Sequence, residues 1–138
     1  MPALYSTKAR AVGGREGHAE SDDRLLKVDL AIPKELGGKG GATNPEQLFA
    51  AGYAACFESA LRHIARNQKL PLKGAAVTAS VSLNQGVGGF VLGVELEAEI
   101  EGLDQDTADI LVAAAHKVCP YSNATRGNID VKLSAKAL

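Results

Sequence analysis

The sequence predicts an α+β domain, on three observations. Segments with a period of two are grouped ahead of and between two stretches of helical periodicity. The strands are grouped, whereas a doubly wound sheet would alternate strand and helix throughout. Glycine clusters punctuate the chain at the joints between these segments. The length of 138 residues and the 46% hydrophobic content fit a single globular domain spanning 1–138, with no internal repeat.

Residues 4–12 and 25–32 read as strands. In the second, Leu26, Val28, Leu30 and Ile32 recur every two residues, as expected when one sheet face is buried. Between them, Gly13-Gly14-Arg15-Glu16-Gly17 reads as a loop by its glycines. A second glycine loop, Gly37-Gly38-Lys39-Gly40-Gly41, lacks the GxxxxGK[ST] order of a phosphate-binding loop, which argues against nucleotide binding.

Asn44 reads as a helix N-cap, Pro45 suits the first helical position, and Gln47 completes a capping-box pattern. This helix is expected to run to about Asn67. From Leu48 to Phe57 it is apolar nearly all round, which predicts burial on most sides. Its later turns carry Glu58, Arg62 and Arg66 as a polar stripe, and Pro71 ends the segment. Residues 75–84 and 90–100 alternate, with Val77, Ala79, Val81 and Leu83 followed by Val94, Leu96, Ala98 and Ile100. Gly86, Gly88 and Gly89 turn between them, which predicts an antiparallel hairpin. Asp104 caps a second helix with Ala108, Leu111, Val112, Ala115 and Cys119 on one face. His116 and Lys117 suit its C-terminal end. A last strand passes through Ile129, Val131 and Leu133.

Composition excludes several classes. With 15 basic and 16 acidic residues the net charge is −1, and no basic block points to nucleic acid. The longest apolar run is about ten residues, short of the roughly 18 that suggest a membrane span. The N-terminus has no hydrophobic signal region, and two cysteines are too few for a secreted disulfide framework. A cytoplasmic protein is therefore expected. Aromatics are 4% and 15 residues are glycine, so the core is poor in bulk, which favours a partner chain.

Chemistry centres on the two cysteines. Cys56 lies in LFAAGYAACF (48–57), and Cys119 closes the second helix just before Pro120. A thiol reacts as its thiolate and apolar burial disfavours that form, so a thiol here is ordinarily core filler unless a cation reaches it. His63 shares the face of Cys56 but lies seven residues on, about 10.5 Å along the axis, and reads as a partly buried structural residue. Arg62 and Arg66 lie on the polar stripe. Arg15 remains, in a glycine loop able to fold over the helix, although a loop arginine is usually solvated. Cys56, His63, His116 and Cys119 offer metal-ligand types, but their spacings match no common zinc pattern, and no metal is expected.

The string TNPEQLFAAGYAACF (43–57) resembles the signature helix of the Ohr/OsmC superfamily, and VCPYSNATRGNI (118–129) resembles its second signature. The Gly-Gly-Arg-Glu-Gly loop also matches. The resemblance covers nearly the whole chain and is closest to the organic hydroperoxide resistance branch. It implies an OsmC-like fold, with two long central helices packed against antiparallel sheets in an intertwined homodimer. It implies a thiol-dependent peroxidase that reduces organic hydroperoxides, lipid hydroperoxides included, to alcohols. By position, Cys56 is then the peroxidatic cysteine, Cys119 the resolving one, and Arg15 and Glu46 complete the site. No cofactor is bound. The implied reductant is a dihydrolipoyl dithiol on a lipoylated partner protein. Leu48, Phe49, Tyr53 and Phe57, with Phe90 and Tyr121, are candidates for an apolar substrate pocket, against the plain alternative that they fill the core. Glu46 and Cys56 are ten residues apart on one helix, about 15 Å, more than one arginine head spans easily. The expectation is that the Glu46 of a given site comes from the other chain, so that the sites lie at the dimer interface. The rival readings are an OsmC-branch peroxidase of broader substrate range and a non-catalytic dimeric binder of small apolar ligands with inert thiols.

Overall fold

The computed structural model describes residues 1–138, which divide into two compact units, Met1–Leu48 and Phe49–Leu138. In the first unit, strands β1 (Ala9–Val12), β2 (His18–Ser21) and β3 (Lys27–Asp29) form an antiparallel sheet in that order. The outer two are shorter than their sequence pattern suggested. β2 carried no alternation signal at all, because its HAES sequence has too few apolar residues to show one. Ladder pairing on both sides defines it, with Ala19 opposite Ala11 and Val28. The glycine turn before it is sterically required: a Cβ on Gly17 would fall 1.8 Å from the carbonyl oxygen of Val12. After β3, Ala31 N–H donates to Thr43 C=O at 2.9 Å, which draws the entry to the following helix alongside the sheet.

Helix α1 (Pro45–Asn67) has the limits its caps predicted. Asn44 Oδ1 accepts from the Gln47 amide at 2.8 Å. The capping box does not close, because Gln47 Oε1 instead accepts from the Thr43 hydroxyl at 2.6 Å.

In the second unit, β4 (Gly74–Gln85) and β5 (Phe90–Glu101) form the expected antiparallel hairpin. Helices α2 (Gln105–Val118) and α3 (Pro120–Thr125) then return the chain so that β6 (Val131–Ala137) pairs parallel to β5, Leu96 opposite Leu133. The sheet is therefore mixed, which corrects the expectation of antiparallel sheets: a helical crossover begins the next strand at the end where the previous one began. Alternation sorts β5 into buried Val94, Leu96, Ala98 and Ile100 and exposed Glu95, Glu97, Glu99 and Glu101. The buried face packs with Tyr53, Phe57 and Leu61 of α1 and Leu111, Val112 and Ala115 of α2 in one apolar core.

The all-round burial expected for α1 does not hold within one chain. Ala51 and Ala55 are exposed, and the buried residues Tyr53, Phe57, Ala60, Leu61 and Ala65 form a single stripe. The sequence also gave no sign of α3, since six polar and small residues are too few to display a period. No helix is long and apolar enough to cross a membrane.

Candidate active site

The second unit brings the two thiols together. Cys56 sits in the fourth turn of α1 and is half-buried, while Cys119 is fully buried. Pro120 dictates the position of Cys119. The residue before a proline avoids helical backbone, and Cys119 adopts φ −64 and ψ 124. That extended residue separates α2 from α3, while its N–H still donates to Ala115 C=O at 2.9 Å. Its sulfur lies 3.6 Å from that of Cys56, with Cys119 as donor. Both thiols are free. A disulfide needs about 2.05 Å between sulfurs, so closure requires an approach of about 1.5 Å.

Burial pushes the Cys56 thiol above its ordinary value. The backbone amide of Tyr121, aimed at the Cys56 sulfur, opposes that rise, and a charge on Cys119 would add to it. Two thiolates this close repel, so ionisation of one sulfur favours the other remaining an S–H donor. Cys56 keeps some contact with solvent and with the Tyr121 amide.

Around the thiols lies an aromatic cluster. Tyr121 stacks edge-on against Phe49 at 5.9 Å between centroids and leans on Tyr53 at 5.5 Å. Phe49, Tyr121 and Phe90 line an apolar cavity of about 610 Å³, together with Val91, Leu92, Pro120 and Ile129. The pocket candidates therefore separate. Phe49, Phe90 and Tyr121 face the cavity, whereas Tyr53 and Phe57 are completely buried and have no surface to offer a substrate. Leu48 is not on the cavity wall. For Tyr53 and Phe57 the plain alternative of core filling fits the single chain, where both lie in the apolar core.

In the first unit, Arg15 occupies a 3-10 turn (Gly14–Glu16), and its guanidinium is held by Glu46 in the first turn of α1. The pair is two-pronged, Nη1 to Oε1 at 2.7 Å and Nη2 to Oε2 at 3.0 Å. The carboxylate raises the arginine's already high pKa, chiefly through this hydrogen bonding. Arg15 and Glu46 of one and the same chain form the pair. The 3-10 turn at Arg15 presents its guanidinium to the start of α1.

The histidines are engaged elsewhere. His63 is exposed rather than partly buried, and its Nε2 pairs with Asn67 at 3.2 Å. His116 Nδ1 bonds the Ser122 hydroxyl at 2.8 Å. Sequence reasoning missed Ser122, because a serine in a short polar stretch gives no local sign of its burial. It also missed the Tyr121 amide, since main-chain donors carry no signature of their own.

This is an α+β protein with two facing thiols and an apolar cavity walled in part by Pro120 and Tyr121, which follow Cys119 in the chain. A family model described as OsmC-like protein matches residues 38–134, and the chain belongs to that family. Within it, the chain falls in the organic hydroperoxide resistance branch. It is 54% identical over 133 residues to an organic hydroperoxide resistance protein of Xanthomonas axonopodis pv. citri, covering 95% of this chain and 94% of the relative. It is 48% identical over 136 residues to organic hydroperoxide resistance protein OhrB of Bacillus subtilis, covering 97% and 99%. The crystal structure of an organic hydroperoxide resistance protein from Legionella pneumophila superposes with a TM-score of 0.95 at 64% identity, covering 98% of this chain and 99% of that one.

Proposed function

We propose that the chain is a thiol-dependent peroxidase that reduces organic hydroperoxides to alcohols. The observation that carries this reading is the pair of free thiols facing each other at 3.6 Å, with Tyr121, whose amide faces Cys56, on the wall of an apolar cavity. The relatives named for organic hydroperoxide resistance support the same substrate class.

The Cys56 thiolate attacks the distal oxygen of the hydroperoxide. An S–O bond forms, the O–O bond breaks, and the alkoxide leaves to become the alcohol, with Cys56 as sulfenic acid. The Tyr121 amide helps to hold the thiolate. Arg15, with two of its five donors engaged by Glu46, has others to offer to developing negative charge. Cys119 then displaces hydroxide from the sulfenic sulfur, giving the Cys56–Cys119 disulfide. A dihydrolipoyl dithiol on a lipoylated partner returns both thiols by exchange, itself closing to a disulfide. The apolar wall favours greasy peroxides over hydrogen peroxide, lipid hydroperoxides among them.

The working form in this reading is a homodimer. Ala51 and Ala55 are exposed on α1, an apolar face that a second copy would cover. Because Glu46 and Cys56 are about 15 Å apart by helical rise, the Arg15–Glu46 pair of one chain would serve Cys56 of the other. The cytoplasm, where dithiol reductants keep such thiols free, is the compartment that suits this cycle.

The test is peroxide-dependent oxidation of dihydrolipoamide with cumene hydroperoxide. Native protein turns over, faster than with hydrogen peroxide, and Cys56→Ser abolishes turnover. Cys119→Ser allows a single oxidation and then accumulates sulfinic acid at Cys56. Native activity in Cys56→Ser would overturn the mechanism. An apolar-ligand binder with inert thiols would lose no thiol on mixing with the peroxide.

A further inference from the structure

A chain of buried hydroxyls ties together the three helices around the thiols. Ser122 is fully buried on α3, and its Oγ lies 2.8 Å from Tyr53 Oη on α1 and 2.8 Å from His116 Nδ1 on α2. Tyr53 Oη also lies 3.2 Å from Thr125 Oγ1. Thr125 Oγ1 in turn donates to Ser122 C=O at 3.1 Å.

Counting protons fixes the direction of every bond. Thr125 has one hydroxyl proton, given to the Ser122 carbonyl, so its oxygen accepts from Tyr53. Tyr53 has then used its only proton and accepts from Ser122. Ser122 accepts in turn from His116, which carries its proton on Nδ1. The chain runs His116 to Ser122 to Tyr53 to Thr125 and back to the Ser122 carbonyl, and no buried side-chain polar atom lacks a partner. Arg126 adds a brace, donating to the His116 carbonyl and, at 2.6 Å, to Asn123 Oδ1.

The spacing relates this network to the thiols. Tyr53 stands three residues before Cys56, and His116 and Ser122 stand three residues either side of Cys119. Apolar residues of similar shape could fill the same space at little cost in stability. Hydroxyls add direction, because each bond in a saturated chain constrains the next.

We propose that Ser122, held between Tyr53 and His116, is a positioning residue for disulfide formation. This rests on the peroxidase reading. Ser122 keeps the turn that carries Cys119 pressed on α1, so the Cys119 sulfur is waiting when Cys56 becomes sulfenic acid. In the step it promotes, the Cys119 sulfur attacks the Cys56 sulfur. An S–S bond forms and the S–O bond breaks. Hydroxide leaves and combines with the Cys119 thiol proton as water. Cys119 is oxidised and Cys56 reduced, both ending at the disulfide level. The competing step is attack by a second hydroperoxide on the sulfenic acid, which gives sulfinic acid and a second alcohol.

The test oxidises native protein and the variants Ser122→Ala, Tyr53→Phe, His116→Asn and His116→Phe with cumene hydroperoxide. Alkylation traps each time point, and mass spectrometry measures Cys56 as thiol, disulfide and sulfinic acid. Loss of one buried hydrogen bond, at about 1.4 kcal/mol, corresponds to roughly tenfold. Ser122→Ala and Tyr53→Phe should therefore raise the ratio of sulfinic acid to disulfide about tenfold, with first oxidation of Cys56 within about twofold of native. His116→Asn, whose amide can donate from the Nδ1 position, should keep the native ratio, and His116→Phe should not. Tyr53→Phe preserves volume and decides the matter if Ser122→Ala does not fold. A native ratio in folded Tyr53→Phe overturns the positioning role, as does a first oxidation that slows by the same factor as disulfide formation. A native protein that forms no disulfide overturns the peroxidase reading, and this role with it.

Discussion

Replacing Gly52 by alanine would put a methyl group where the Tyr121 hydroxyl lies. The new Cβ would stand 2.4 Å from Tyr121 Oη and 3.0 Å from Cζ, whereas comfortable contact begins near about 3.5 Å. The ring must therefore retreat by about 1 Å. It is not free to do so, since it packs edge-on against Phe49 and leans on Tyr53. It also follows Pro120 and Cys119 directly in the chain. Overpacking of this kind costs about 1–3 kcal/mol. Against it, alanine gains about 1 kcal/mol over glycine inside a helix. The net expectation is destabilisation by about 1 kcal/mol, where the same change on an open helix would stabilise by about that amount. Urea unfolding at fixed protein concentration reads the sign, the midpoint falling by about 0.5 M for a slope near 2 kcal/mol/M. Tyr121→Phe in the Gly52→Ala background removes the closest atom and should recover part of the loss, so the two changes should couple. A Gly52→Ala protein more stable than native by about 1 kcal/mol would refute the reasoning, because it would mean that Tyr121 does not rest on this helix.

Other outcomes follow from the charged and titrating groups. Glu46→Gln breaks a charge-assisted, two-pronged pair whose arginine is 36% exposed. Stopped-flow oxidation of Cys56 should slow by about tenfold, the low end for a charged hydrogen bond, and an unchanged rate would remove Glu46 from the site. Burial, and after it the charge of Arg126, holds the His116 imidazole below its usual pKa. The unfolded chain therefore takes up a proton near about pH 6.5 while the folded chain resists it to lower pH. Stability from this source is complete above about 6.5 and is lost as the pH falls through the folded value. Urea midpoints measured from pH 7 downwards should decline, and less steeply in His116→Asn; identical profiles would contradict this.

The parts of the fold legible in the sequence are those set by local signals. The Asn44-Pro45 start fixed the first helix, the Asp104 cap fixed the second, and alternation through Val94 to Ile100 with glycines behind it fixed the hairpin. β2, α3 and the parallel direction of β6 were not legible. Each is defined by partners distant in the chain, and none has a long enough apolar pattern of its own. The start and length of α1 could be read, but its apolar residues run nearly all round from Leu48 to Phe57, so neither its buried stripe nor that Phe49 would meet a cavity while Tyr53 and Phe57 met solid core was legible.

The sequence alone determined an α+β chain, the two thiols with Arg15 as a candidate cation, and, through two long signatures, the family, whose resemblance added Glu46. The signatures and the strand and helix patterns depend on residue type and short-range spacing, which the chain carries in linear order. Only the tertiary structure decided that Cys119 faces Cys56 at 3.6 Å, that Arg15 pairs with Glu46 of the same chain, and that Ser122 is buried between Tyr53 and His116. Those contacts join residues 63, 31 and 69 positions apart as well as the near neighbours His116 and Ser122. Their distances are set by how helices pack on a sheet, a property that no window of sequence contains.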